Sequence, residues 1–376
     1  MNCGCFGASS VLQKSSESSN KHVHNSKHDQ EAIIITRTRT FLFDELRAAT
    51  NNFNRSNKIG RGGFGIVYKG ILKNGMVVAI KMLSAESKQG EREFLTEIET
   101  ISNVKHPNLV QLLGCCVHGR DQILVYEYLV NNSIDRALLG PMRSVKLDWE
   151  RRSAICLGTA RGLEFLHEQL VPRIVHRDIK GSNILLDADF QPKIGDFGLA
   201  KLFPDNISHI TTKIAGTTGY LAPEYALGGH LTVKADVYSY GILTLEVVSG
   251  RSWANADHGG AQKLLAEWAW ELYQEEKLLD LVDPELEEFP EKEVLRYVKV
   301  ALFCTQAAAS RRPLMSQVIE MLSRNVRLNV NELTPPGFFD DSASLNGGSA
   351  KDKLSGASTS YQMNSFASTI TQVTPR

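Results

Sequence analysis

The period of the apolar positions changes along this chain. Between Lys58 and Leu129 they fall in short runs with strand character: Lys58-Ile59, then Val67 to Ile80 broken at the hairpin signal Asn74-Gly75, then Leu109 to Leu113 and Ile123 to Leu129. One helix interrupts these strands, with Phe94, Ile98 and Ile101 on its apolar face and Glu97 flanking it. Beyond the polar Asn131-Asn132-Ser133 the spacing becomes helical: Ala154, Leu157, Ala160 and Leu163 recur up to His167, Leu264, Leu265, Trp268 and Leu272 mark a second helix, and Val294, Tyr297, Val298, Ala301 and Leu302 a third. Asp236 to Ser249 is apolar almost all round and ends at Gly250, so that helix must be buried. Strands first and helices afterwards predict an α+β fold joined near residues 131–133.

The flanks read differently. Leu42, Leu46 and Ala49 share a helical spacing, with Asp44 near a plausible start, which predicts a lead-in helix over residues 41–52 that packs on the strands. Residues 1–40 include a Ser, His and Lys-rich stretch running to about Gln30. Residues 328–376 are rich in Ser, Thr, Gly and Asn, with Pro335-Pro336 at the exit. Both have too few apolar residues for a core and are expected to be disordered tails.

Composition narrows the class. The 376 residues carry 42 Lys+Arg against 42 Asp+Glu, a balance that asks for no nucleic-acid partner. The length suits one large domain or two compact ones with tails. No run of 18 apolar residues and no secretory pattern is present, so the expected place is the cytosol. Cys115, Cys116, Cys156 and Cys304 stand in apolar surroundings and read as small buried hydrophobes, not a disulfide framework or a zinc site.

Chemistry concentrates between His176 and Asn183, in His-Arg-Asp-Ile-Lys-Gly-Ser-Asn, followed by Ile184-Leu185-Leu186 and then Asp196-Phe197-Gly198. One short loop thus offers an acid (Asp178), a base (Lys180) and a carboxamide (Asn183), with a second acid (Asp196) past a strand-like turn. A carboxylate orients a hydroxyl and accepts its proton. An ammonium neutralises a phosphoryl group, and amide and carboxylate oxygens suit magnesium. Taken alone, Asp and Asn also cap turns, and Arg-Asp is often a surface pair. Upstream, Gly60-Arg61-Gly62-Gly63-Phe64-Gly65-Ile66-Val67 fits a phosphate-covering loop, and Val78-Ala79-Ile80-Lys81 follows as an apolar strand ending in lysine. Dinucleotide folds use similar glycines but follow them with a helix, whereas strands follow here.

These four elements in this order resemble the protein kinase family, over roughly Phe53 to Arg327. The resemblance implies a bilobal fold, a small antiparallel β lobe with one main helix and a larger, mainly helical lobe, in a domain spanning 53–327. It implies ATP with Mg2+, or Mn2+ in its place, as cofactors. Asp178 would position the substrate hydroxyl, Lys180 would assist it, and Thr217 would bridge the two. Lys81 would meet the α and β phosphates, paired with Glu97 in preference to Glu93 or Glu99. Asn183 and Asp196 would hold the metal. ATP would further touch Ile59 and the glycine loop, Ala79, Leu185 and the Glu127 to Leu129 connection, with Tyr126 behind it. His176, Arg177, Phe197, Asp236 and a Glu224–Arg312 pair would be structural. Between Asp196 and Glu224 lies an activation segment, with Thr212 foremost, then Thr211 or Thr217, as phosphorylation candidates and Arg177 as a cationic partner.

The stretch from Phe41 to Phe53 resembles the lead-in of plant receptor-like kinases, and Lys180 matches the serine/threonine pattern. A receptor-like cytoplasmic kinase acting on proteins below a receptor kinase is therefore expected, with a kinase-fold scaffold or a small-molecule kinase as rivals. Residue 2 is Asn, which excludes the usual myristoylation signal; Cys3 and Cys5 are candidate acylation sites for peripheral membrane contact, or free thiols in a tail.

Overall fold

The computed structural model describes residues 38–337 except 63–64, 84–87, 140–145, 205–206, 208, 255, 259–260 and 325. The chain enters as an extended segment paired with a sheet edge and turns into helix α1 (Phe43–Ala49). Strands β1 (Lys58–Gly62), β2 (Gly65–Ile71) and β3 (Val77–Leu83) follow, then helix α2 (Lys88–Ile101), then β4 (Leu112–His118) and β5 (Asp121–Glu127). They form one antiparallel sheet in the order β1-β2-β3-β5-β4. Alternation along β3 and β5 buries Val78, Ile80, Ile123 and Val125 on one face, where Phe41 and Leu46 cover them. On the other face α2 seats Phe94, Ile98 and Ile101, all fully buried.

Two local readings of the sequence are corrected here. Leu42 does not share the buried face of α1 but is 74% exposed, and Phe41 at 2% takes its place. Leu42 is the extended N-cap residue, so strand alternation aims it outward and its neighbour inward. The strand expected over Leu109 to Leu113 begins only at Leu112 and runs on through Cys115 and Cys116. Residues 108–110 are spent on joining the two lobes, Val110 N–H donating to Ile194 O and Ile194 N–H to Asn108 O, both at 2.9 Å.

The lead-in covers an otherwise open edge. Phe41 N–H donates to Cys115 O and Cys115 N–H to Arg39 O, each at 2.9 Å. A Cβ on Gly114 would lie 2.3 Å from Arg39 O and 2.7 Å from the Phe41 ring. Gly114→Ala should therefore unseat this segment at about 1–3 kcal/mol, read as a lower denaturant midpoint; an unchanged midpoint would mean the lead-in contributes nothing to the sheet.

The helical lobe contains α3 (Trp149–Glu164), β6 (Arg173–Val175), β7 (Ile184–Leu186), β8 (Pro192–Ile194), β9 (Lys201–Phe203), β10 (Ile210–Thr211), α4 (Pro223–Gly228), β11 (His230–Leu231), α5 (Val233–Ser249), α6 (Leu265–Gln274), α7 (Glu291–Cys304) and α8 (Met315–Ser323). Helix α5 is the axis, buried on every side from Ala235 to Ser249. The Thr232 hydroxyl, accepting from Lys234 N–H, caps its start, and Gly250 at φ +63° closes it in the left-handed conformation. The chain does not leave this lobe at Arg327, as the tail composition suggested. Leu328 and Leu333 pack on the core, and residues up to Gly337 bond to it. The apolar contacts come from isolated residues in a polar stretch, and periodicity cannot register those.

Candidate active site

The loop between β6 and β7 is braced from below by α5. Asp236, fully buried near the start of that helix, accepts from His176 N–H at 2.7 Å and Arg177 N–H at 2.8 Å, and faces His167 Nε2 at 2.8 Å. Burial pushes its carboxyl up, but the His167 contact and the His176 side outweigh that and hold it below the usual carboxylate range. A charged acid with three partners fixes the loop backbone, and Arg177 sits there at φ +72°. His176 also packs edge-on against the buried ring of Phe197, at 4.7 Å.

On this base Asp178 is held by three groups. Thr217 Oγ1 donates to its Oδ1 at 2.7 Å, Lys180 Nζ lies 2.7 Å from Oδ2, and Asn183 Nδ2 donates to Oδ2 at 3.0 Å and to its carbonyl at 2.8 Å. Lys180 also donates to Thr217 Oγ1 at 2.8 Å. Thr217 therefore ties the activation segment to the loop acid, and its buried hydroxyl is already engaged.

Across the cleft Lys81 stands at the middle of a three-residue cluster. Its ammonium is 2.6 Å from Glu97 Oε1 and 2.6 Å from Asp196 Oδ1. Burial alone would lower its pKa, but Asp196 and then Glu97 reverse this and raise it, so the group is charged throughout the physiological range. Burial pushes Asp196 up as well, and Lys81, with Lys180 and His176 behind it, brings it below the ordinary value. Glu97 is fully buried, and burial leaves its carboxyl raised despite Lys81 and a bond from the Tyr126 hydroxyl. Neither competing acid takes that position: Glu99 is exposed, and Glu93, buried beside the cluster, accepts from Gln89 at 2.9 Å, its carboxyl pushed up to about 7 by burial.

The β1–β2 hairpin carries Ile59, Gly60, Arg61, Gly62, Gly65, Ile66 and Val67; Gly63 and Phe64 lie outside the described residues. At Gly65, φ is +150° and a Cβ would lie 2.2 Å from Met82 O, so no other residue fits there. Ala79, Leu129 and Leu185 are half-buried against the core. The Glu127 carboxylate accepts from Gln111 N–H at 2.8 Å and Lys193 at 3.1 Å, which ties the connecting segment to both lobes.

At the far end of the activation segment Arg312, fully buried, grips Glu224 with both nitrogens at 2.8 Å. Arg177 reaches Lys213 O at 2.9 Å, beside Thr212, together with Leu199 O and the Tyr225 hydroxyl. Thr211 is exposed on β10 and Thr212 half-buried, its N–H bonded to Gly229 O at 3.1 Å. Cys3 and Cys5 lie outside the described residues.

Sequence reasoning missed Tyr225, whose hydroxyl gathers Arg177, Ala215 N–H and Lys213 O, and Glu246, which accepts from Tyr220 O–H at 2.6 Å and Trp253 N–H at 2.9 Å. A glutamate on an otherwise apolar helix was the one available signal for the second. Burial pushes Glu246 up to about 8 against those two bonds. Its folded pKa lies above the unfolded value, so its stabilising share is complete below about pH 4.3 and is lost as pH rises toward 8. Glu246→Gln should accordingly flatten the fall in stability between pH 5 and pH 8 in urea titrations; an unchanged slope would assign the fall to other groups.

Among the described residues no group of three His, Cys, Asp or Glu gathers to hold a metal, and no helix is long and apolar enough to cross a membrane. The candidate cation ligands among the described residues are instead one carboxylate, Asp196, and one amide, Asn183. Asp196 Oδ2 is left over from the Lys81 contact, and Asn183, whose nitrogen donates to Asp178, accepts from the Ser182 hydroxyl at 3.4 Å with its oxygen, which keeps a second lone pair. That pair fits a hard cation whose other ligands come from phosphate and water.

Comparison with known proteins agrees with this geometry. The protein kinase domain model matches residues 53–324. Cold-responsive protein kinase 1 of Arabidopsis thaliana is 51% identical over 317 residues, covering 83% of this chain and 81% of that protein. Two probable LRR receptor-like serine/threonine-protein kinases of the same plant are 48% and 52% identical over 343 and 293 residues. They cover 89% and 77% of this chain, which spans only 32% and 28% of theirs. A buried lysine clamped by two acids opposite a braced loop aspartate, and a match over most of the chain, place this protein in the protein kinase family, as an ATP-dependent phosphotransferase of the plant receptor-like serine/threonine kinase group.

Proposed function

We propose that the chain transfers the γ-phosphate of ATP to serine and threonine hydroxyls of proteins, its own activation segment included, in plant signalling below a membrane receptor kinase. The observation that carries this reading is the Asp178–Thr217–Lys180 triangle, with every side between 2.7 and 2.8 Å. Asp178 orients the incoming hydroxyl and takes its proton, and Lys180 offsets charge on the transferred group. Lys81 faces the α and β phosphates, fixed by Glu97. Asn183 and Asp196 hold Mg2+, with Mn2+ acceptable to the same oxygens. The bound cation supplies neutralisation of phosphate charge. Ile59, the glycine hairpin, Ala79, Glu127 to Leu129 and Leu185 enclose the nucleotide.

Thr212 is the foremost site of self-modification because Arg177 is bonded one residue away, at Lys213 O; Thr211 follows, and Thr217 is better suited to positioning because its hydroxyl is occupied. A phosphate on Thr212 gains a guanidinium partner and orders the segment. Incubation with Mg2+ and labelled ATP should label Thr212, and Thr212→Ala should lose most of that label along with several-fold of the peptide kinase rate; undiminished label and rate would remove this site. For the N-terminus the reading is acylation of Cys3 and Cys5, two chains being needed for a stable anchor. Replacing both by Ser should move the protein out of the membrane fraction, and an unchanged distribution would argue for free thiols.

A further inference from the structure

Past Arg327 the chain crosses the helical lobe and ends its described course against the activation segment's anchor. Tyr273 O–H donates to Val330 O at 3.3 Å, and Gln306 Oε1 accepts from Thr334 N–H at 3.2 Å and its hydroxyl at 3.0 Å. Pro336 then pairs with Gln306, Gly337 N–H donates to Thr305 O at 3.1 Å, and the Tyr238 hydroxyl donates to Gly337 O. A Cβ on Gly337 would lie 2.5 Å from Pro223 Cγ and 2.9 Å from Ala307 Cα, so the last turn fits under the start of α4 only as glycine.

The same few residues hold Arg312. The Tyr238 ring lies 5.0 Å from its guanidinium, Gln306 O accepts from its Nε at 2.8 Å, and Ala307 O from its Nη2 at 3.1 Å. Arg312 in turn grips Glu224. Pro223 and Glu224 are thus held from beneath by one unit whose parts are Arg312, the turn at Thr305 to Ala307, and the returning chain.

We infer that residues 328–337 are a strap that positions the Gly216–Glu224 end of the activation segment, acting through Pro223 and through the Tyr238 and Gln306 contacts shared with Arg312. None of these residues touches the reacting groups. Their kinetic effect rests on the kinase reading above, whereas their effect on the segment's mobility does not.

The test compares the full chain with truncation after Gly337, truncation after Arg327, Gly337→Val and Tyr238→Phe. The shorter truncation, which removes all of these attachments, and Gly337→Val, which displaces the two Gly337 bonds nearest Pro223, should each raise amide exchange across residues 216–226 by at least about tenfold, with α2 unchanged. The peptide KM should rise about fivefold, because the loosened stretch carries Thr217 beside Asp178, where the substrate hydroxyl is received under the kinase reading, while the ATP KM stays within about twofold. Truncation after Gly337 should match the full chain. Tyr238→Phe, which keeps the ring and loses one bond, should move the same two readouts by about threefold and decides the matter if the shorter truncation does not fold. Exchange in residues 216–226 that is unchanged, or raised equally in α2, would overturn the strap. A full chain that phosphorylates no peptide would count against the kinase reading and leave exchange to decide the strap.

Discussion

Asp178→Asn should lower kcat by about three orders of magnitude while nucleotide affinity stays within a few-fold. The amide preserves size but has a single acceptor oxygen, so it keeps the bond from only one of Thr217 and Asn183, which meet different carboxylate oxygens at 2.7 and 3.0 Å in the parent. The fold should still hold, since the loop backbone is fixed by Asp236 and not by Asp178. What disappears is the proton acceptor and the charge that keeps Lys180 in place. Single-turnover transfer to a peptide, alongside fluorescent nucleotide binding, separates these effects. A loss in binding equal to the loss in rate would mean that Asp178 shapes the cleft and does not act on the hydroxyl.

Lys81→Met should abolish measurable transfer and also cost stability. In the parent the ammonium neutralises two acids at 2.6 Å, one of them, Glu97, fully buried. Removing one partner of a buried pair costs about 3–5 kcal/mol; the lower end applies here because Asp196 is partly solvated and Glu97 can take up a proton, so Tm should drop by about 6–12 °C. The pH dependence has a defined sign. Burial already raises Glu97, and loss of Lys81 removes the main influence lowering it. A carboxyl with a raised folded pKa stabilises the fold fully below its unfolded value, about 4.3, and loses that contribution as pH rises. The gap between parent and variant should therefore widen from pH 5 to pH 8. A gap that narrows would mean that the clamp is not a charge interaction.

Partners implied by the resemblance to protein kinases were legible in the chain, and the structure places them together: Lys81 meets Glu97, Thr217 bridges Asp178 and Lys180, Glu224 meets Arg312, and Asp236 braces the loop. The buried axis α5 was legible for a different reason, since a helix without a polar face has only one place to go. Features set by a single distant contact were not. Leu42 and Phe41 exchange roles because pairing with Cys115, 74 residues on from Phe41, makes the segment extended before α1 begins. Tyr225 and Glu246 carry polar bonds that no period announces. Residues 328–337 look like tail because their attachment uses backbone groups and the side chains of Tyr238, Tyr273 and Gln306, whose own neighbourhoods give no hint of it.

The central claim is that Lys81, Asp178, Asn183 and Asp196 converge on one metal-bound nucleotide. Transfer of labelled γ-phosphate to a serine/threonine peptide, followed across a Mg2+ titration for the full chain and for Asp196→Ala, tests it most directly. The account predicts saturable, Mg2+-dependent labelling by the full chain and loss of about three orders of magnitude in Asp196→Ala at every Mg2+ concentration. Equal labelling by the two proteins, or labelling indifferent to Mg2+, would contradict it.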